Sequence, residues 1–188
     1  MTTTPTTERT ALPPAGTWQI DAGHAEVGFV GRHFGLTKVR GRFTGVDGTI
    51  TLADPIEESS LEVTIDMTSV DSGDRTRDDH LRSADLFDVE HHPTATFRST
   101  AVSAAADGSG RLWGELTIKN VTHSVELDVA FVGRVTDPWE NDRLVFSAAG
   151  LINREDWGLT WNMPLGAGGW LVSKEIRLEI EVELLRQG

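Results

Sequence analysis

The segment Glu175-Ile-Arg-Leu-Glu-Ile-Glu-Val-Glu-Leu184 alternates charged and apolar residues with a period of two. Successive side chains of a β-strand point to opposite faces, so this pattern predicts a strand with one buried face and one solvated face. A helix would spread the charged residues around its whole axis and leave no apolar stripe. The C-terminal segment therefore predicts a long β-strand.

The same alternation recurs along most of the chain. It is clear in residues 61–68, 112–118 and 124–131, and turn-forming residues such as those of 107–110 and 137–142 separate the apolar segments. Several short strands at regular spacing, with turn signals between them, are typical of all-β domains. We therefore predict eight or nine strands in an antiparallel barrel or sandwich.

One connection, Asp71–Phe97, interrupts this pattern with a high density of charge and three of the six histidines. Connections this long are uncommon in compact domains and are usually functional. The only predicted helix lies here, because Thr76 followed by Asp79 resembles a capping box. We expect this connection to line or close the mouth of a barrel.

The bulk composition limits the classes of function. The chain has 188 residues, a net charge of -12 and no cysteine. Its length predicts a single domain, residues 16–188, after a disordered Thr- and Pro-rich tail, residues 1–15. The negative charge argues against nucleic-acid binding, which depends on cationic side chains. The lack of cysteine excludes disulfides and thiolate chemistry.

The N-terminal tail has no apolar core of the kind found in signal peptides, and no apolar run in the chain has the length of a membrane span. These features predict a cytoplasmic protein without stable membrane insertion.

The size of the inward residues decides whether a barrel of this kind holds a ligand or a solid core. Several interior candidates are small: Gly28, Gly41, Gly45, Gly114, Ala148 and Gly150. Aromatic side chains could instead fill the interior, namely Phe43, Phe97, Phe131 and Phe146. The pattern alone leaves both possibilities open.

Five elements in a fixed order carry a resemblance to a known family. They are Trp18–His24, Phe29–His33 with Val39–Phe43, Arg77–Asp88 followed by Pro93 and Phe97, Gly114–Ile118 with Thr122, and Asn153–Leu159. Together they resemble the YceI-like family of lipocalin-like polyisoprenoid-binding proteins, over about residues 16–184. Asn120 stands where the family usually has Gly, and His92 precedes Pro93 where an aromatic residue is usual.

The resemblance implies an extended, lipocalin-like antiparallel barrel of eight strands, with a short helical connection in the middle of the chain. It also implies non-catalytic binding, as a carrier or store, of a long isoprenoid or similar amphiphilic lipid, such as an isoprenoid quinone or a prenyl phosphate. No cofactor is expected. Alternation within this barrel predicts the apolar lining residues Phe29, Phe43, Ile65, Met67, Leu81, Phe87, Phe97, Leu116, Leu127, Phe146, Trp157 and Trp161. The candidates for contact with a polar head group are His33, Arg77 and His80.

Other functions have weaker support in the sequence. His80, His91 and His92 could bind a metal with Asp85 or Asp88, but their spacing matches no metal motif, so no metal site is expected. No Gly-x-Ser-x-Gly nucleophile motif is present, so no catalytic residues are assigned. The alternatives that remain are an interaction module with a filled barrel and an enzyme acting on a lipophilic substrate. A homodimer through exposed strand surface is possible.

Overall fold

The computed structural model describes residues 7–8, 12–166 and 168–187. The secondary structure of these residues is mostly β. The strands are β1 (Thr7–Glu8), β2 (Gly16–His33), β3 (Thr37–Phe43), β4 (Val46–Leu52), β5 (Ser60–Asp66), β6 (Val70–Asp71), β7 (Thr94–Ala104), β8 (Ser109–Ile118), β9 (Val121–Thr136), β10 (Asp142–Asn153) and β11 (Glu175–Arg186). The α-helix α1 is Arg75–Arg82, and short 3-10 helices lie at Ile56–Glu58, Met67–Ser69 and Arg154–Trp157. None of the helices in these ranges is long and apolar enough to cross a membrane.

Eight strands form a closed antiparallel barrel in the order β2, β4, β5, β7, β8, β9, β10 and β11. The ring closes because β11 pairs with β2, where Leu178 lies opposite Phe29 and Ile180 opposite Val27. Closure leaves the ring without free edges. The predicted eight-stranded, lipocalin-like barrel with one short helix in the central connection is thus confirmed, and the sandwich is excluded.

Strand β2 is the longest, and its two halves have different neighbours. Gly16–Gln19 pair with β4, whereas Val27–His33 pair with β3. The pairing of β2 with β11 shifts between Val182 and Leu184, where residues 21–24 bulge out of the ladder. On its other side, strand β3 pairs with the short strand β6, which leads into α1.

Helix α1 is anchored to the chain segment that precedes it. Its N-cap is Asp74, whose carboxylate accepts a hydrogen bond from the Arg77 N–H at 3.0 Å, so the predicted capping box at Thr76 and Asp79 is wrong. The buried carboxylate of Asp78 accepts hydrogen bonds from the N–H and the hydroxyl of Ser72, at 2.8 and 2.5 Å. These bonds fix α1 against the barrel.

The two ends of the barrel differ. The end that carries α1, called the helical end, also holds the β2–β3 turn and residues 154–174 between β10 and β11. At the opposite end, Trp18, Leu144 and Leu184 pack together and are at most 1% exposed. The helical end therefore carries the long connections, and the opposite end has a packed apolar cluster.

Two glycines allow aromatic rings to lie against the inner wall. A Cβ atom added to Gly41 would be 2.3 Å from Cζ of Phe29, and one added to Gly114 would be 2.3 Å from Cζ of Phe97. Each ring thus occupies the space above a glycine instead of the centre of the barrel. Gly28, an interior candidate in the sequence, faces outward instead, because its neighbours Val27 and Phe29 both point inward.

Within the N-terminal tail, β1 pairs with β9, with Thr7 opposite Val135. Residues 1–6 and 9–11 lie outside the described residues. The disorder of residues 1–15 and the domain boundary at residue 16 remain predictions.

Candidate ligand cavity in the barrel

A cavity of about 760 Å³ occupies the barrel interior. This volume is within the range of about 300–1,000 Å³ that is typical of small-molecule sites. All eight barrel strands contribute to its wall, and most of the lining side chains are aliphatic or aromatic. The aromatic rings therefore do not fill this barrel, and the possibility of a solid core is excluded.

Fourteen of the fifteen predicted site residues line this cavity. They are Phe29, His33, Phe43, Ile65, Met67, Arg77, His80, Leu81, Phe87, Phe97, Leu116, Leu127, Phe146 and Trp161. Trp157 does not line it: the indole is buried in the wall, donates its Nε1–H to the Leu116 carbonyl at 2.9 Å, and packs edge-on against His123. Whether the lining residues bind a ligand remains a prediction.

The ionisable side chains of the cavity wall are concentrated at the helical end. Six of them lie there: Arg32, His33, Asp74, Arg77, His80 and Arg154. Arg111, at the start of β8, is the one at the opposite end among the described lining residues. The cavity is thus amphipathic along its length, with polar groups mainly at one end and an apolar wall beyond them.

The predicted head-group residues occupy this polar end. His80 Nε2 lies 3.2 Å from Asp85 Oδ2, and its ring meets the Trp161 ring edge-on at 4.3 Å between centroids. Arg77 donates from Nε to the Ser72 hydroxyl at 2.8 Å and from Nη2 to the Ser72 carbonyl at 3.1 Å. Both side chains are therefore held in fixed orientations by their neighbours.

His33 ends β2 and connects two loops of the helical end. Its ring lies 3.9 Å from the Phe34 ring, and its backbone forms an isolated β-bridge with Val172. The bridge joins the β2–β3 turn to the segment before β11, so His33 lies where these loops meet the cavity.

Arg154 is a lining residue that the sequence did not single out. It is 6% exposed, and its guanidinium donates to the Ser173 carbonyl at 3.0 Å and to the Leu159 carbonyl. Its Nη2 has no hydrogen-bond partner in the described part of the chain. Burial lowers the pKa of this side chain. The sequence offered one signal that could have identified Arg154, namely its position in the Asn153–Leu159 motif.

The histidines considered for metal binding do not converge. His91 Nδ1 instead pairs with Asp88 Oδ1 at 2.9 Å, and this hydrogen bond raises the pKa of His91 and lowers that of Asp88. In the described residues, one group of possible ligands does converge, namely Asp21, His24 and Glu183.

Arg143 already neutralises the carboxylates of that group. Its Nη1 lies 2.5 Å from Asp21 Oδ2 and 3.0 Å from Glu183 Oε2. A cation placed there would be repelled by the guanidinium. This group therefore does not form a convincing metal site.

The comparisons with known proteins agree with this barrel. A family model for the YceI-like domain matches residues 18–184. The chain is 36% identical over 176 residues to a UPF0312 protein of Pseudomonas aeruginosa, covering 92% of this chain and 88% of that protein. It is 38% identical over 165 residues to a UPF0312 protein of Pectobacterium atrosepticum, covering 87% and 82%.

Two solved structures extend the comparison to three dimensions. The Campylobacter jejuni YceI protein is 29% identical with a TM-score of 0.70, and the match covers 84% of this chain and 90% of that one. A polyisoprenoid binding domain of Saccharophagus degradans is 17% identical with a TM-score of 0.65, covering 93% and 100%, and this likeness shows the fold alone. On the evidence of the family model and the curated relatives, the chain belongs to the YceI-like family.

Proposed function

We propose that this protein binds a long isoprenoid, or a similar amphiphilic lipid, inside its barrel and does not transform it. The observation that carries the proposal is the polarity of the cavity, whose ionisable lining side chains gather at one end of a long apolar wall. An amphiphile fits this arrangement, because its tail gains about 25 cal/mol per Å² of buried apolar area while its head group keeps polar partners.

The chemistry of the polar end favours a head group with hydrogen-bond acceptors. Arg77 and Arg154 carry N–H donors and no acceptor, and His33 and His80 can each donate. A quinone carbonyl or a phosphate supplies the matching acceptors. The same barrel fold occurs in the Saccharophagus degradans domain that is described as polyisoprenoid binding. An isoprenoid quinone or prenyl phosphate is therefore the first ligand class to test.

The test compares two neighbouring alanines of β10. Ala148 lines the cavity, whereas Ala149 is absent from its wall and faces the other side of the strand. We expect Ala148→Phe to place a ring in the cavity and to weaken binding of decaprenyl ubiquinone by about tenfold or more, a loss of about 1.4 kcal/mol. Ala149→Phe is the matched control and should bind as the wild type does.

Native mass spectrometry of the protein in detergent solution measures this binding, and organic extraction of the purified protein identifies any lipid that accompanies it. Thermal unfolding of both variants shows whether each is folded. Equal uptake by the two variants, or no uptake of decaprenyl ubiquinone or of a prenyl phosphate by the wild type, would refute the proposal. The alternative of an interaction module predicts a filled barrel and an exposed edge or apolar patch, and the cavity is at odds with the first of these two features.

An enzyme acting on a lipophilic substrate makes a different prediction. In that case His80→Ala would abolish turnover and leave ligand uptake intact. Under the proposed function, the extracted lipid has the same mass before and after incubation with the wild-type protein. The cytoplasmic location predicted from the sequence is a separate proposal, which fractionation of the producing cells tests.

A further inference from the structure

Four large apolar side chains project from the surface of the helical end. Phe34 and Leu36, in the β2–β3 turn, are 49% and 78% exposed, and Met163 and Trp170, before β11, are 53% and 52% exposed. Together these four residues are called the apolar tip. Single exposed apolar residues are ordinary, but a contiguous group of them commonly marks a binding surface.

Backbone hydrogen bonds hold the two parts of the apolar tip together. The Phe34 N–H donates to the Leu171 carbonyl at 2.9 Å, and the Leu171 N–H donates to the Met163 carbonyl at 2.9 Å. Arg32 and Ser173 bond to each other in both directions, at 2.9 and 3.0 Å. The β2–β3 turn and the segment before β11 are therefore joined through their backbones, and this brings the four exposed residues together at the helical end.

The apolar tip is continuous with the cavity. His33 precedes Phe34 and lines the cavity, as do Leu171, which follows Trp170, and Trp161, two residues before Met163. The segments that expose apolar side chains to solvent thus also form the cavity wall at its polar end. Anything that contacts the apolar tip lies next to the site proposed for the head group.

We propose that the apolar tip docks reversibly on the surface of a zwitterionic lipid bilayer, from which the barrel takes up its ligand. This inference rests on the proposed function. A long isoprenoid dissolves poorly in water because each exposed methylene is unfavourable, so its source is a membrane. Tryptophan is enriched at membrane–water interfaces, and phenylalanine and leucine, with tryptophan, form the apolar face of segments that insert there.

The charge distribution favours a zwitterionic surface over an anionic one. The chain carries a net charge of -12, which anionic lipids repel. The exposed side chains of Arg32 and Lys38 flank the β2–β3 turn, too few cations to offset this net charge. Docking should therefore depend on apolar insertion and vary little with salt, because salt screens charge interactions and not apolar contacts.

The size of the apolar tip argues against a second copy of the chain as its occupant. Large aromatic side chains bury roughly 150–250 Å² each. Four large side chains that are between half and about four-fifths exposed thus offer on the order of 400–500 Å², compared with about 800 Å² per partner in a stable interface. Two chains of charge -12 also repel each other.

The experiment is flotation of the full chain with vesicles of phosphatidylcholine. The double variant Leu36→Ser/Trp170→Ser alters two residues of the apolar tip that do not line the cavity. Trp139→Ser is the matched control, because Trp139 is 78% exposed in the β9–β10 turn at the opposite end. We expect the double variant to lose about tenfold or more in vesicle affinity, and the control to bind as the wild type does.

Two further measurements separate this inference from the proposed function. Uptake of decaprenyl ubiquinone from detergent solution should be the same in the double variant and the wild type, whereas uptake from phosphatidylcholine vesicles should be slower in the double variant. Wild-type protein that floats but takes up no quinone from detergent would support the docking surface and overturn the proposed function.

Several results would overturn the docking surface itself. One is equal flotation of the wild type and the double variant, and another is a wild type that takes up quinone from detergent but does not float. Vesicle binding that requires phosphatidylglycerol and disappears with salt would show that charge attraction, and not apolar insertion, causes the docking. A wild-type dimer in sedimentation velocity that becomes monomeric in the double variant, without vesicle binding by either, would assign the apolar tip to a second copy.

Discussion

The variant Gly41→Ala tests whether the cavity depends on aromatic rings that lie against the barrel wall. A Cβ atom at this position would be 2.3 Å from Cζ of Phe29 and 2.8 and 2.9 Å from two further atoms of the same ring. Ordinary contact begins at 3.4 Å, so the ring must move by at least about 1.1 Å. The three nearest atoms all belong to this ring, so it is the Phe29 side chain that must shift, and it lines the cavity.

The size of the effect follows from this displacement. Overpacking of this kind typically reduces the free energy of unfolding by about 1–3 kcal/mol. The displaced ring also takes space from the ligand. If that space equals about one or two methylene groups, at about 0.8 kcal/mol each, the affinity for decaprenyl ubiquinone falls about 4- to 15-fold.

Urea denaturation and quinone titration in detergent measure these two quantities. Phe29→Leu removes the ring, so Gly41→Ala should reduce stability less in that background, with a coupling of about 1 kcal/mol or more. Gly166→Ala is the matched control, since a Cβ atom there would meet nothing within 4 Å. If Gly41→Ala unfolds at the same midpoint as Gly166→Ala, and the Phe29 background makes no difference, the argument about the ring is refuted.

Two further predictions concern the wall and its ion pairs. Trp157→Phe leaves the Leu116 carbonyl without its indole donor and should reduce the free energy of unfolding by about 1–3 kcal/mol. Thermal unfolding measures this loss. A change in the affinity for decaprenyl ubiquinone would contradict the placement of Trp157 outside the cavity. Arg143→Gln removes the hydrogen bond that is the main cause of the lowered pKa of Asp21. Because the folded-state pKa lies below the ordinary 3.8, this stabilisation is present above pH 3.8 and is lost as the pH falls through the folded-state value. In urea denaturation we therefore expect the variant to be less stable at neutral pH and the difference from wild type to narrow in acid; a constant difference would argue against this linkage.

Period-two alternation made the barrel predictable. The apolar positions of β11, from Ile176 to Leu184, all line the cavity, as the pattern Glu-Ile-Arg-Leu predicts for the inner face of a strand. A strand has only two faces, so its side-chain directions follow from the sequence once one of them is known. Fourteen cavity residues could be predicted for this reason and from the resemblance to the family.

The rule fails where the chain leaves the sheet. Trp157 ends a 3-10 helix that begins at Arg154, and side chains in such a helix turn by about 120° per residue. Alternation therefore placed Trp157 on the cavity wall, which is wrong. It also did not identify the buried Arg154 as a lining residue. The hydrogen bond from Trp157 joins residues 41 positions apart, which no local pattern reveals. The cap at Asp74 was missed because Thr76 and Asp79 offered a competing signal with the same chemistry.

The charges at the two ends of the barrel favour one orientation of the proposed ligand inside it. At the opposite end, Arg143 forms ion pairs with Asp21, Asp137 and Glu183, and these carboxylates neutralise its charge. At the helical end, Arg154 donates to backbone carbonyls. Among the residues that the structure describes, no hydrogen bond or ion pair joins its guanidinium to a carboxylate, and the charge of Glu155 acts on it only through space. An electron-rich head group gains more from an uncompensated cation than from a paired one. On the proposed function, the head group therefore lies at the helical end, next to the apolar tip, and the tail extends toward the packed cluster around Trp18.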